Sequence, residues 1–363
     1  MVLLFDSELK MTEEDKYISI KFRWISFVLA VMVVLIHANS LRGVAEVPAA
    51  AQTFHATLGY LIWSPVPIFF IISGYFFGLS NYVREGGYRS FIVKKCRTLL
   101  VPYVIFALLG TIMAMPLMLA LNHIKNLPWY DRTVFAGEHW WQWLDALLGV
   151  TAPCPLHNST LWYVRAIFVL FLFAPLWRFL IHKLPNWIFL LPAVYCYLFV
   201  RDYYYDAVPI LEVRLSAVWF FVGICISRFR TILRPTKRPH TTAVLGLLTL
   251  LMMLHVPYSG RLVFWLPLIQ FSFIWTSFDI AFGSKKGLML PEFAGLSFWI
   301  YCTHTIITNW IVPVGHYVLG EGALALCFVT VVNFAICLAI TISSGLWLKR
   351  RHVRLYEMLS GGR

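Results

Sequence analysis

The sequence predicts an all-α protein, a polytopic membrane helical bundle of about ten transmembrane helices, on three observations. Apolar residues make up 60% of the 363-residue chain and charged residues only 13%, where an ordinary soluble domain carries about 25% charged. Ten long apolar runs follow one another with short polar joints between them. The 30 lysines and arginines gather on alternate joints, the asymmetry that orients helices in a bilayer. Soluble-enzyme, collagen-like and disordered classes are thereby excluded.

The runs fall at 22–41, 58–80, 98–121, 161–181, 186–200, 209–227, 241–257, 262–282, 290–315 and 323–348, each near the roughly 20 residues that cross a hydrocarbon core. Breakers separate them, among them Pro48, Gly86-Gly87, Pro185, Ser259-Gly260 and Gly320, residues that interrupt helices by geometry or by a missing donor. The first run follows a polar stretch and lacks a small-residue exit, so it reads as a retained helix, not a signal peptide. In the second, Pro65, Pro67 and Ser73-Gly74 predict a bend followed by close helix packing. The one long joint, Asn122 to Thr160, holds Trp129, Tyr130, Trp140, Trp141 and Trp143. That aromatic density predicts a helix lying in the membrane interface.

With the amino terminus inside, 23 of the 30 basic residues fall on cytoplasmic segments, which places both termini in the cytoplasm and requires an even number of spans. Residues 1–21 then form a cytoplasmic tail, 22–348 the transmembrane domain and 349–363 a basic cytoplasmic tail. The net charge of +13 is a topological signal and does not call for nucleic acid. Seven cysteines without a C-x-x-C pair indicate neither a disulfide framework nor a metal site. No internal repeat or low-complexity segment divides the chain.

Ionisable side chains inside apolar helices are costly, which makes them functional candidates. His37 ends the first run, and a neutral imidazole there can accept a proton or simply bond a loop carbonyl at headgroup level. In the ninth run Ser297, Tyr301, His304 and Thr308 recur at offsets of 4, 7 and 11, one face of a helix. That stripe can line a cavity for a hydroxylated substrate or join helices by hydrogen bonds. Arg165, Glu212, Arg214 and Asp279 are the remaining costly charges, each needing a partner or a snorkelling path.

Several stretches together resemble the acyltransferase 3 family of integral-membrane O-acyltransferases. They are Val33-Val34-Leu35-Ile36-His37, the segment Val66-Pro67-Ile68-Phe69-Phe70-Ile71-Ile72-Ser73-Gly74-Tyr75-Phe76, and the basic run Lys94-Lys95-Cys96-Arg97 leading into Leu99-Leu100-Val101-Pro102-Tyr103. Leu161-Trp162-Tyr163-Val164 and Ser297-Phe298-Trp299-Ile300-Tyr301-Cys302-Thr303-His304 complete the series. The resemblance implies transfer of an acetyl or other short acyl group from cytoplasmic acyl-CoA to a hydroxyl of an envelope or surface glycan, in the inner membrane of a bacterial cell, without a metal. It implies an essential role for His37, as general base or as a covalent acyl carrier, with His304 and Tyr301 orienting the sugar or stabilising an oxyanion. Lys94, Lys95 and Arg97 are placed to attract the phosphates of coenzyme A. The family's arginine eleven residues before the histidine is Ser26 here. Arg23, within about 40° of the same helix face, is its expected substitute. No separate acyl-acceptor domain is expected, so the chain is similar to the stand-alone enterobacterial common antigen acetyltransferase type. A transporter or flippase of lipid-linked glycans is the competing class, although the internal repeat many transporters carry is missing.

Overall fold

The computed structural model describes residues 13–62, 64–125, 139–149, 157–183, 185, 209–229, 233, 237–255, 262–283 and 289–362. Their secondary structure is helical, joined by turns, with no strand among the described residues. Helix α1 runs Glu13–His37, α2 Ala49–Leu61, α3 Pro65–Gly78, α4 Asn81–Glu85 and α5 Tyr88–Lys95. A π turn, Cys96–Leu100, joins α5 to α6, Val101–Lys125, which is followed by α7, Trp140–Leu148. After a 3₁₀ turn at Ser159–Leu161 come α8, Trp162–Leu172, α9, Ala174–Lys183, and α10, Pro209–Arg228. Next are α11, Pro239–His255, α12, Leu262–Phe282, and α13, Ser297–Leu319, entered through a 3₁₀ turn at Glu292–Leu296. Helices α14, Ala323–Arg351, and α15, Val353–Ser360, close the chain.

Glu14–His37, Tyr88–Leu117 and Ala323–Arg351 are each long and apolar enough to cross a membrane, and the α8–α9 pair, bent by 59°, makes a fourth. Pro65–Gly78, Ser216–Arg228 and Pro239–Met253 are shorter apolar helices. The fifth expected run, 186–200, lies outside the described residues. Side chains on the outer face of α14, such as Leu324 at 87% exposure, Phe328 and Trp347, are bared, as a lipid-facing surface requires and an aqueous one avoids.

The bend expected from Pro65 and Pro67 is a full break between α2 and α3. Pro65 opens α3, where its missing N–H costs nothing and its fixed φ suits the first turn. The close packing expected at Gly74 is present: a Cβ there would stand 1.9 Å from the Phe220 carbonyl oxygen, and one on Gly223 would stand 1.9 Å from the Ile71 carbonyl oxygen. Helices α3 and α10 therefore touch backbone to backbone. The π turn has a similar local cause, because Pro102 has no N–H to give the Thr98 carbonyl and the Val101 N–H reaches back to Cys96 instead.

Two apolar clusters fill the bundle. The larger includes Phe70, Phe77, Phe106, Phe220 and Ile300, and the smaller joins Phe22, Ile25, Tyr75 and Trp275. Against the smaller cluster lies Lys21, which is wholly buried and 2.7 Å from Asp279. Helix α1 thus begins at Glu13 and takes Lys21 inside, where the apolar run alone begins at Phe22. The chain from 349 onward also folds, with α15 packed against the π turn and α6.

A helix, α7, is present in the long joint, with Trp140 at 75% exposure; Trp129 and Tyr130 lie outside the described residues. Arg165 finds a partner: it donates to the Gly149 carbonyl at the carboxyl end of α7, where a cation meets unsatisfied carbonyls and the negative end of the helix dipole. The side chains of Glu212 and Arg214 lie outside the described residues. The five described cysteines, Cys96, Cys225, Cys302, Cys327 and Cys337, are free thiols.

Candidate active site

A cavity of about 380 Å³ opens between α1, α3, α5, α8 and α13. Its polar lining divides into two groups. Arg23, Lys94, Lys95, Lys349 and Glu292 make up the charged group, and Ser26, Ser73, Ser80, Thr98, Tyr163, Ser297 and Tyr301 the hydroxyl group. Four cations face one carboxylate. The Arg350 guanidinium bonds Glu292 Oε2 at 2.7 and 3.0 Å, so that carboxylate is already matched by a cation outside the lining. Lys95 is steadied by the rings of Phe171 and Phe91, 4.3 and 5.3 Å from its Nζ, a cation–π arrangement. Gly361, with φ +69°, also lines the cavity, and a Cβ there would come within 2.2 Å of the Thr98 carbonyl oxygen. The end of the chain is therefore seated on the π turn as part of the wall.

At the second group, Ser73 Oγ and Tyr163 Oη share a hydrogen bond of 3.0 Å, and the Tyr163 and Tyr301 rings meet with centroids 5.5 Å apart. Tyr301 donates its hydroxyl hydrogen to the Thr160 carbonyl. The Thr160 region is itself fixed by Asn158, whose Nδ2 donates to Cys302 and Phe106 carbonyls at 2.9 and 3.3 Å while its Oδ1 accepts from Thr160 and Thr305.

Beyond Tyr301 the cavity lining ends and a histidine pair begins. The Tyr301 and His304 ring centroids are 6.0 Å apart, and those of His304 and His37 are 5.3 Å apart. Helix α1 packs along α13, which brings the two imidazoles together although 267 residues separate them in sequence. His304 is wholly buried; its Nδ1 lies 3.0 Å from the Ile300 carbonyl, and its Nε2 meets no hydrogen-bond partner among the described residues. Arg42 Nη2 stands 3.2 Å from His37 Nδ1. Thr308, the last residue of the polar stripe, gives its hydroxyl to the His304 carbonyl at 2.8 Å and so serves the helix itself.

Of the residues singled out by sequence, Arg23, Lys94, Lys95 and Tyr301 line one cavity, and His37 and His304 form one pair adjoining it. Arg97 is not among the lining residues. Ser26, which stands where the family arginine would, lines the same cavity as Arg23. Arg42 and Lys349 were missed, since both read as ordinary charges at the end of a span. For Arg42 the available signal is its position five residues after His37, just past the helix end. Among the described residues no three His, Cys, Asp or Glu side chains group as a metal site.

A family model described as an acyltransferase domain matches residues 21–342. The chain belongs to the acyltransferase 3 family. The match covers every described residue of the cavity and the histidine pair except Lys349 and Gly361, so this member of the family carries its candidate site almost entirely inside the matched region. No curated protein and no solved structure matches the chain. Membership makes the protein an acyltransferase, and its apolar helices make it a membrane protein.

Proposed function

We propose that this acyltransferase moves an acetyl or other short acyl group from cytoplasmic acyl-CoA to a hydroxyl of an envelope or surface glycan, in the inner membrane of a bacterial cell. In this reading the chain crosses the bilayer ten times with both termini in the cytoplasm, as its charge asymmetry demands. The observation that carries it is the arrangement along α1 and α13: a cavity lined by cations ends at Tyr301, and the His304–His37 pair stands immediately beyond. Arg23 and His37 are fourteen residues apart on α1, about 21 Å at the rise of an α-helix. A donor with its phosphates at one end and its thioester at the other suits that separation.

Arg23, Lys94 and Lys95 receive the phosphates of the donor through charge-assisted hydrogen bonds. The histidine pair manages the proton of the acceptor hydroxyl, a contribution of about 10² to 10⁴ in rate. The thioester brings its own leaving group, so no metal is required. Tyr301, its hydrogen committed to Thr160, presents lone pairs and a ring face and serves as the wall between donor and acceptor.

The test expresses the chain and its His37→Ala variant, at equal membrane levels, in a host lacking it, then measures ester-linked acyl groups on envelope glycans after mild alkaline release by mass spectrometry. Acyl groups present with the parent and absent with the variant are expected. Equal amounts in both would remove His37 from the chemistry, and none in either would favour the flippase reading.

A further inference from the structure

Hydrogen-bond direction fixes which nitrogens of the two imidazoles hold hydrogens. A guanidinium only donates, so His37 Nδ1, 3.2 Å from Arg42 Nη2, offers its lone pair. In the neutral ring the hydrogen is then on Nε2. A carbonyl only accepts, so His304 Nδ1, 3.0 Å from the Ile300 oxygen, holds its hydrogen and leaves Nε2 bare. That Nε2 is buried and meets no donor among the described residues. The two rings, with centroids 5.3 Å apart, therefore differ in kind: one presents an N–H and the other a lone pair.

We propose that Arg42 is a positioning residue that locks His37 in the Nε2–H tautomer, making His37 the hydrogen-bond donor of the pair and His304 Nε2 the proton acceptor. This rests on the acyl-transfer reading above. The acceptor hydroxyl gives its proton to His304 Nε2 as its oxygen bonds to the thioester carbonyl carbon. The His37 Nε2–H donates to the carbonyl oxygen while that oxygen carries charge. The carbon–sulfur bond then breaks, and the departing thiolate takes the proton back from His304, leaving an ester and free coenzyme A thiol. A tautomer set by the bond at the other ring nitrogen is a recognised means of directing imidazole chemistry.

The experiment is ¹⁵N-histidine solid-state NMR of the full chain in lipid at pH 8, with the two rings assigned by subtraction of His37→Asn and His304→Asn spectra, alongside acetyl-CoA kinetics of Arg42→Ala and Arg42→Lys. His37 is expected as the Nε2–H form and His304 as the Nδ1–H form. Arg42→Ala is expected to mix the His37 tautomers and lower kcat on the order of 10²-fold, the scale of a misplaced catalytic group, with the KM for acetyl-CoA unchanged. Arg42→Lys, which still donates, keeps the parent tautomer and most of kcat. A parent His37 found as the Nδ1–H form overturns the proposal, as does an Arg42→Ala protein with unaltered His37 signals and kcat. The spectra need no turnover, so both expected tautomers in a protein that transfers no acyl group would overturn the acyl-transfer reading and leave the role of Arg42 in fixing the tautomer intact.

Discussion

Lys21 Nζ lies 2.7 Å from Asp279 Oδ1, with both side chains almost wholly removed from solvent. Tyr17 donates to the same oxygen at 2.7 Å, and the Trp275 ring sits 3.7 Å beneath the ammonium. Taking two charges out of water is expensive, and their attraction repays it only while both are present. Lys21→Met alone, or Asp279→Leu alone, is therefore expected to lower stability by about 3–5 kcal/mol, and the double substitution to recover most of the loss. Thermal midpoints of the detergent-solubilised protein measure this; a double variant as unstable as either single one would refute the desolvation argument. Sequence identified Asp279 as a costly charge in an apolar run, yet its partner was counted among cytoplasmic cations. The two lie 258 positions apart, and no local pattern links them. His37 and His304 were legible individually for the same reason that Asp279 was, while their pairing and the Arg42 contact required the packed helices.

The α3–α10 contact shows how an element-level feature is written in small residues. A Cβ on Gly74 or Gly223 would fall 1.9 Å from a backbone oxygen of the facing helix, and backbone has no rotamer with which to yield. Gly74→Ala and Gly223→Ala are each expected to destabilise by about 1–3 kcal/mol, the range of core overpacking. Gly59→Ala, with nothing within 4 Å of the added carbon, is expected to leave stability unchanged or slightly improved, since alanine suits a helix interior better. Equal effects at all three positions, read from thermal midpoints, would show that helix propensity and not the close approach governs this contact. Ser73-Gly74 announced the packing in advance, because small residues let helix backbones meet. The break before Pro65 was read only as a bend, since a proline reports a missing donor but not how far the chain turns. Helix α15, eight residues long, escaped notice because its apolar side is too short to stand out against a basic segment.

The cavity exists only at the scale of the whole molecule, with walls from α1, α3, α5, α8, α13 and the end of α14. Its cations sit where sequence reading already sees cytoplasmic charge. The positive-inside pattern and a phosphate site look alike in one dimension, and only the folded chain distinguishes Lys94, Lys95 and Lys349, which line the cavity, from Arg97, which does not. If these lysines hold the donor's phosphates, they bind ground state and transition state equally, and losing them raises KM without lowering kcat. Lys94→Gln, Lys95→Gln and Lys349→Gln combined are thus expected to raise the apparent KM for acetyl-CoA by about tenfold, equivalent to about 1.4 kcal/mol, with kcat and membrane levels preserved. Salt provides an independent check. Raising ionic strength from about 0.01 M to 0.15 M shortens the screening length from roughly 30 Å to 8 Å, so the parent KM is expected to climb with salt and that of the triple variant, which keeps only Arg23 of the lining cations, to climb less steeply. A parent KM indifferent to salt, or a triple variant with the parent's KM, would mean that the donor enters the bundle elsewhere and that these lysines serve topology alone.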